Sequence, residues 1–480
     1  MKRIICFCFL IGISATSLFA QHQEYFPDPN PAIQQKLEDW RDLKFGLLMH
    51  WGPYSQWGIV ESWSICPEDV GWAAWAWKKG VADTYEEYHR KYEELPRTFN
   101  PTKFNPELWA KAAKEAGMKY VVFTTKHHDG FNMFDTKYSD YKITGKDVPF
   151  AANPRSDVTK EIFNAFRKEG FWAGAYFSKP DWHNENYWWK HFPPADRNPN
   201  YSISKFPDRW KNFVDFTHNQ INELASNYGK LDILWLDGGW VRKKTDEEVK
   251  AQLLEVYEGS RYARNPQSQD INMEGLVREV RAKQPDLIVV DRAVPGVHQN
   301  YLTPEQHIPD DGLPYPWETC MTMANSWSYV PNDKYKSADD LIEKLTDIVS
   351  KGGNFLLNIG PSPEGEFDSA AYDRLKKIGA WMKVNGEAIY GTRMFSSYKE
   401  GDKIRFTQKK DGSAHYIFLF DFPKSNVLIT KMAFSKSTKV TMLGSDQKLK
   451  WKQTEKGVEI IVPAALQKNG RYVWVLKATN

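Results

Sequence analysis

At 480 residues with 41% apolar content, the chain has room for one large folded unit and a smaller one. Its 64 Lys and Arg nearly balance 61 Asp and Glu, for a net charge of +3, so no basic face marks a nucleic-acid partner. Twenty Trp and 23 Tyr are more than a core of this size requires, and such rings can serve sugars as flat apolar platforms.

Residues 1–20 read as a secretory signal peptide: Lys2 and Arg3, the apolar run Ile4 to Ile13, then Ser17-Leu-Phe-Ala20, with cleavage expected after Ala20. The run is too short to span a bilayer. Cys6 and Cys8 lie inside it and no cysteine follows the cleavage point, so a periplasmic or secreted protein without a membrane anchor is expected. The mature chain keeps Cys66 and Cys320, either free or paired.

Beyond a polar lead-in, Lys44 to His50 reads as a first strand stopped by Trp51-Gly52-Pro53. The aromatic stretch from Tyr54 to Pro101 is too long for a simple connection, and loops of that length tend to be functional. Then helices and strands alternate. Glu107 to Gly117 is a helix before the strand Tyr120 to Thr125 and Lys126-His-His-Asp-Gly130. Ser156 to Gly170 is a helix before the strand Phe171 to Ser178, which closes on Lys179-Pro-Asp-Trp-His183. Asp208 to Tyr228 is a helix that feeds the apolar run Leu231-Asp-Ile-Leu-Trp-Leu-Asp237, followed by two glycines and Trp240. Helices around Thr245 to Glu258 and Asn272 to Gln284 precede the strand Leu287 to Arg292. Ser337 to Ser350, the strand Asn354 to Gly360 and Ala370 to Asn385 complete the series. From about Thr392 short alternating runs between turn residues predict a small β-sandwich.

The expected architecture is therefore a (β/α)8-like barrel over residues 21–391 and a carboxyl-terminal β-sandwich over 392–480. No glycine-rich phosphate loop follows the first strand, which disfavours a nucleotide-binding sheet. Polar residues collect at strand carboxyl ends, where barrel enzymes keep their chemistry: His50, His127 and His128, Lys179 and Asp181, Asp237, and Arg292.

Asp237 is the sharpest of these. Alternation places Leu231, Ile233, Trp235 and Asp237 on one face, and an unpaired buried carboxylate costs several kcal/mol, so packing gives no reason for an acid there. A turn-capping aspartate is the ordinary alternative. His127 and His128 are adjacent rather than alternate, the wrong spacing for two imidazoles on one metal ion, and neither a His-Glu-x-x-His nor a Cys-x-x-Cys motif occurs. No metal or organic cofactor is expected. If Asp237 is a nucleophile of the glycosidase kind, a second carboxyl must protonate the leaving oxygen. Glu305 and Glu318 are the candidates, with the Asp310 and Asp311 pair read as a solvated turn, and the residues alone leave Glu305 and Glu318 open. Trp51, Trp63, Trp235 and Trp327 are the aromatics expected beside a sugar.

Several short motifs carry a family resemblance: Phe45-Gly with His50-Trp51-Gly52, Lys126-His-His-Asp-Gly-Phe131, Trp235-Leu-Asp237 and Asp291-Arg292. Trp317-Glu318, Ser326-Trp-Ser-Tyr329 and Gly352-Gly-Asn-Phe-Leu-Leu-Asn-Ile-Gly-Pro361 extend it in the same order. From about residue 40 to 395 the chain resembles glycoside hydrolase family 29, the α-L-fucosidases, and the β-rich remainder is similar to that family's small sandwich. The resemblance implies a retaining exo-hydrolase that removes terminal α-L-fucose from fucosylated glycans in two displacements. It implies Asp237 as nucleophile, and His50, His127, His128, Trp235 and Arg292 in the fucose pocket with Trp327 at its border. Glu61 resembles a pocket glutamate, although Ser62 separates it from Trp63 where the family often has Glu and Trp adjacent. The context of Glu305 resembles the acid/base segment of several members, which favours it over Glu318. An apolar setting is expected around Glu305. A relaxed or galactoside-directed glycosidase and a non-catalytic sugar-binding barrel are the alternatives.

Overall fold

A computed structural model describes residues 24–67, 79–257, 266–424 and 426–479. The expected signal peptide at 1–20 lies outside the described residues.

Seven parallel strands form a curled sheet: β1 (Phe45–Met49), β2 (Tyr120–Lys126), β3 (Trp172–Ser178), β4 (Ile233–Asp237), β5 (Ile288–Asp291), β6 (Glu318–Thr322) and β7 (Asn354–Ile359). Their spatial order is β5-β4-β3-β2-β1-β7-β6, which leaves β5 and β6 at the edges. The gap between those edges is filled by residues 299–306, an irregular segment bridged to both sides. Gln299 pairs with Val290 on one flank, and Leu302 and Glu305 pair with Trp317 and Cys320 on the other. Backbone bonds hold it there: Glu318 N–H donates to Leu302 O at 2.8 Å, and Gln306 N–H to Cys320 O at 2.9 Å. The ring is thus barrel-like, with an irregular stave in the eighth place, and that stave carries Glu305.

β6 has no counterpart in the sequence-based expectation. Its Glu-Thr-Cys-Met-Thr run is polar at its first two positions, yet every residue in it is buried. Long-range pairing with β7 makes it a strand where local composition does not.

Helices cover the outer face, and most open on the side-chain cap their sequences offer. Asn105 accepts from Leu108 N–H before α3 (Pro106–Glu115), Asp157 from Lys160 N–H before α4 (Val158–Lys168), and Ser337 from Asp340 N–H before α8 (Ala338–Ser350). Here α1 is Pro31–Leu43, α2 Tyr85–Glu93, α5 Pro207–Asn227, α6 Asp246–Tyr257, α7 Met273–Lys283 and α9 Ser369–Asn385. Alternate strand residues divide between two cores. Leu234 and Leu236 join the layer beneath the helices, whereas Ile233 and Trp235 point into the ring with Leu48, Tyr176 and Leu356. Leu231 departs from the expected face: it precedes β4 and packs in the outer layer. Ile33, Leu37 and Trp40 of α1 meet Tyr120, Ile233 and Ile288, the first residues of three strands, and so close the amino-terminal end of the ring.

After α9 the chain is antiparallel. Strands β8 (Thr392–Glu400), β9 (Ile404–Lys409), β10 (Ala414–Leu419), β12 (Lys439–Met442), β13 (Lys448–Leu449) and β16 (Trp474–Thr479) form one sheet. β11 (Asn426–Ile429), β14 (Trp451–Thr454) and β15 (Gly457–Ile461) form a second, and the two share an apolar core around Ile417, Val440, Val458 and Leu476. Cys66 and Cys320 are both buried, and no disulfide joins the two.

Candidate active site

The carboxyl ends of the strands surround a cavity of about 760 Å³. At its floor Asp237 ends β4. Tyr176, two residues from the end of β3, donates its hydroxyl to Asp237 Oδ2 at 2.7 Å, and Arg292, just past β5, donates Nη1 to Oδ1 at 2.9 Å. His128 Nε2 stands 3.7 Å from Oδ2. Burial alone would raise the carboxyl's pKa. Arg292, His128, the Tyr176 hydroxyl and the Gly238 N–H together outweigh it and hold Asp237 well below the usual carboxylate range. The turn after it requires glycine: Gly238 has φ +89°, and a Cβ there would stand 2.4 Å from Pro180 Cδ.

Arg292 also pairs through Nη2 with Glu305. One guanidinium therefore grips both carboxylates. The expected apolar setting for Glu305 is not what surrounds it: its side chain is 40% exposed and ion-paired, because the irregular stave brings it to the rim rather than into the core.

Three imidazoles line the cavity beside Asp237 and Tyr176. His50 follows β1, and Asn358 on β7 sets its tautomer. The Asn358 amide donates to Trp327 O at 2.6 Å, which turns its Oδ1 toward His50 Nδ1 at 2.8 Å, so Nδ1 carries the proton and Nε2 is left as an acceptor. Burial lowers the His50 and His128 pKa values to about 4 and holds that of His127 well below the usual range. All three are uncharged at neutral pH, fit to hydrogen-bond hydroxyls. His127 and His128 both face the cavity because β2 ends at Lys126, so strand alternation no longer separates them. Ser62 hydrogen-bonds His127 Nδ1, and the His128 ring is packed by Trp63, Trp182 and Trp240 at 5.2, 5.2 and 5.3 Å.

Glu61 also lines the cavity, 2% exposed, accepting from Ser328 N–H at 2.9 Å, and burial pushes its pKa up to about 8. Trp63, Trp235 and Trp327 are on the cavity wall, with Trp327 5.1 Å from the His50 ring. Trp51 is not. It lies in the outer core, stacked at 5.5 Å on Phe104, with its Nε1 donating to Ser362 O at 2.9 Å. Lys179 and Asp181 are likewise absent from the wall: each is buried in an ion pair, Lys179 with Asp291 and Asp181 with Lys126 at 3.0 Å. Removing one partner of such a buried pair costs about 3–5 kcal/mol because it leaves the other charge uncompensated, so each charge at those strand ends is tied to its partner. Glu318 lies under Trp235, shielded from solvent and off the cavity wall.

A family model described as alpha-L-fucosidase matches residues 13–387, and one described as the alpha-L-fucosidase C-terminal domain matches 399–479. The chain belongs to the α-L-fucosidase family. It is accordingly a glycoside hydrolase of the fucosidase type, with the catalytic barrel and carboxyl-terminal β-sandwich of the solved fucosidases. The tissue alpha-L-fucosidase of Bos taurus is 29% identical over 480 residues, covering 95% of this chain and 91% of the relative. Among solved structures, alpha-L-fucosidase isoenzyme 1 from Paenibacillus thiaminolyticus is 28% identical with a TM-score of 0.72, covering 93% of this chain and 99% of that one. The Thermotoga maritima alpha-fucosidase in complex with fucose is 27% identical with a TM-score of 0.71, covering 95% and 100%.

Several wall residues of this fucosidase escape a sequence reading: Tyr176, Arg197, Trp240, Gln306 and Asn325 on the wall, and Asn358 behind it. Tyr176 had a usable signal, a hydroxyl near the end of an apolar strand. Asn358 had one too, an amide within Phe-Leu-Leu-Asn-Ile. Among the described residues no group of three or more His, Cys, Asp or Glu could hold a metal ion, and no helix is long and apolar enough to cross a membrane.

Proposed function

We propose that this fucosidase is a retaining exo-enzyme acting on terminal α-L-fucose of fucosylated glycans, with Asp237 as nucleophile and Glu305 as acid/base. The observation that carries the proposal is the shared guanidinium: Arg292 binds Asp237 at 2.9 Å and Glu305 at once. Two carboxyls within reach of one side chain favour the spacing of roughly 5–5.5 Å that retention needs over the roughly 6.5–9.5 Å of inversion.

Asp237, kept ionised by its donors, attacks the anomeric carbon while Glu305, acting in its protonated form rather than as the Arg292-paired carboxylate, gives a proton to the leaving oxygen. Water then enters, loses a proton to Glu305, and releases Asp237. His50, His127, His128 and Glu61 hold the sugar's hydroxyls, His50 accepting through Nε2 and the others, neutral imidazoles and a protonated carboxyl, able to donate as well as accept. Trp63, Trp235 and Trp327 supply apolar faces for the ring and its methyl group. None of these steps draws on a metal or organic cofactor. Residues 21–391 form the catalytic unit and 392–480 the sandwich. The amino-terminal segment, cleaved after Ala20, directs the enzyme to the periplasm or outside.

Turnover of an aryl α-L-fucoside, beside aryl galactosides and α-1,2-, α-1,3-, α-1,4- and α-1,6-linked fucosyl oligosaccharides, tests the substrate. The anomer first released, followed by NMR, tests retention. Preferential release of α-L-fucose in its α form is expected. A β first product, or equal rates on galactosides, would overturn the corresponding part.

A further inference from the structure

Glu318 opens β6 with its side chain turned into the ring and no solvent exposure. Its Oε2 accepts from the Tyr120 hydroxyl at 2.6 Å and its Oε1 from Trp235 Nε1 at 3.3 Å, while the Tyr301 hydroxyl approaches as a further neighbour. Asn354 is its register partner on β7, and Cys320 follows on its own strand. These neighbours are phenols, an indole, an amide and a thiol rather than a cation, and burial raises the carboxyl's pKa to about 7. A carboxyl so placed is costly to bury, and space has been made for its arrangement. Gly46 on β1 lies under the Tyr120 ring, and a Cβ there would stand 2.4 Å from it.

What this carboxyl holds is the Trp235 indole. Tyr176 stacks on that ring at 5.2 Å and 22°, and the Arg292 guanidinium lies over it at 5.2 Å. Tyr176 and Arg292 are the two side-chain donors to Asp237. We propose that Glu318 is a positioning residue for the reaction: by pinning Trp235 Nε1 it fixes the surface on which both donors to the nucleophile rest. The proposal rests on Asp237 being that nucleophile. Glu318 touches neither sugar nor reacting atoms, so its loss acts through Trp235 and the two donors to Asp237 on the chemical steps.

The test is a cycle on an aryl α-L-fucoside. Glu318→Leu is expected to lower kcat about 30- to 100-fold, the scale of a misplacement near 1 Å, with KM unchanged or lowered, because weakened donors to Asp237 slow release as well as attack. Glu318→Gln keeps an acceptor for Trp235 Nε1 and is expected to recover kcat to within about fivefold of the unaltered enzyme. Trp235→Phe removes the Nε1 donor and should reproduce the loss, and combining it with Glu318→Leu should add little, because both break one link. Folded Glu318→Leu enzyme with full kcat, a change confined to KM, or losses that multiply in the double variant would overturn the proposal. Should Glu318→Leu not fold, Trp235→Phe, which keeps a ring face toward the sugar, decides alone: a kcat loss without a raised KM supports the proposal, and full kcat or a raised KM overturns it. Asp237→Gly run in parallel separates the two failures: if it stays active, the nucleophile assignment falls and takes this proposal with it.

Discussion

Replacing Tyr176 by phenylalanine removes one hydroxyl and leaves the stacked ring in place. The hydroxyl donates to Asp237 Oδ2 at 2.7 Å, a charge-assisted bond in a buried setting. Hydrogen bonds to charged groups are worth about 1.5–3 kcal/mol. In the first step the carboxylate gives up its charge to the new bond, so losing a donor does not slow attack. In the second step the charge returns to Asp237, and the missing donor raises the barrier. The whole of that energy corresponds to a release step about 10- to 150-fold slower. On an activated aryl α-L-fucoside, kcat for Tyr176→Phe should fall by that factor and KM should fall with it. Their ratio should stay within about threefold, because it reports only the first step. Stopped-flow should show a burst of the aryl leaving group, and intact-protein mass spectrometry an added fucosyl unit. A fall in kcat/KM as large as that in kcat, with KM unchanged and no accumulated intermediate, would refute the reasoning.

Glu305→Ala should cost a natural fucosyl oligosaccharide far more rate than an aryl fucoside with an activated leaving group; equal losses on both would remove Glu305 as the acid. Stability should respond to pH through the buried carboxyls. Glu61 and Glu318 keep protons up to about 8 and 7 in the fold, against 4.5 for the unconstrained side chain, so folding stability falls as pH rises across that window. His50 and His128, lowered from 6.5 to about 4, act in the opposite sense and only below 6.5. Between pH 6.5 and 8 the carboxyls remain, joined in the same sense by His183, whose pKa burial would lower but Glu93 raises, so Tm should decline there and Glu61→Gln should flatten part of the decline. An unchanged slope in that variant would contradict the burial argument. Trp51→Ala should destabilise the fold by about 3–5 kcal/mol in chemical denaturation while leaving KM unchanged, as befits a core ring; a KM effect without destabilisation would return Trp51 to the sugar site.

Alternation and strand-end chemistry carried much of this site in the sequence. Asp237 and Arg292 sit where apolar runs stop, and the structure brings them together. The same rule also selected Lys179 and Asp181, because a buried ion pair behind a sheet leaves the same local pattern as a polar group at a barrel mouth. Composition cannot tell them apart, since the partners lie 112 and 55 positions away. β6 and the stave before it were invisible for a related reason. Their conformation is set by pairing with β5 and β7, and the stave has no strand period of its own. Trp51 misled because a tryptophan beside a strand-ending histidine serves a core as readily as a pocket, and only the ring packing of Phe99, Phe104 and Trp109 decides. The order of barrel and sandwich needed none of this, since period and turn spacing change together near residue 392.

The nucleophile is tested most directly by Asp237→Gly assayed on an aryl α-L-fucoside with and without azide. The variant should fold, lose about 10³-fold or more in kcat, and regain turnover with azide, which attacks from the vacated face to give the β-L-fucosyl azide. Undiminished hydrolysis without azide, or rescue that yields no fucosyl azide, would contradict the assignment.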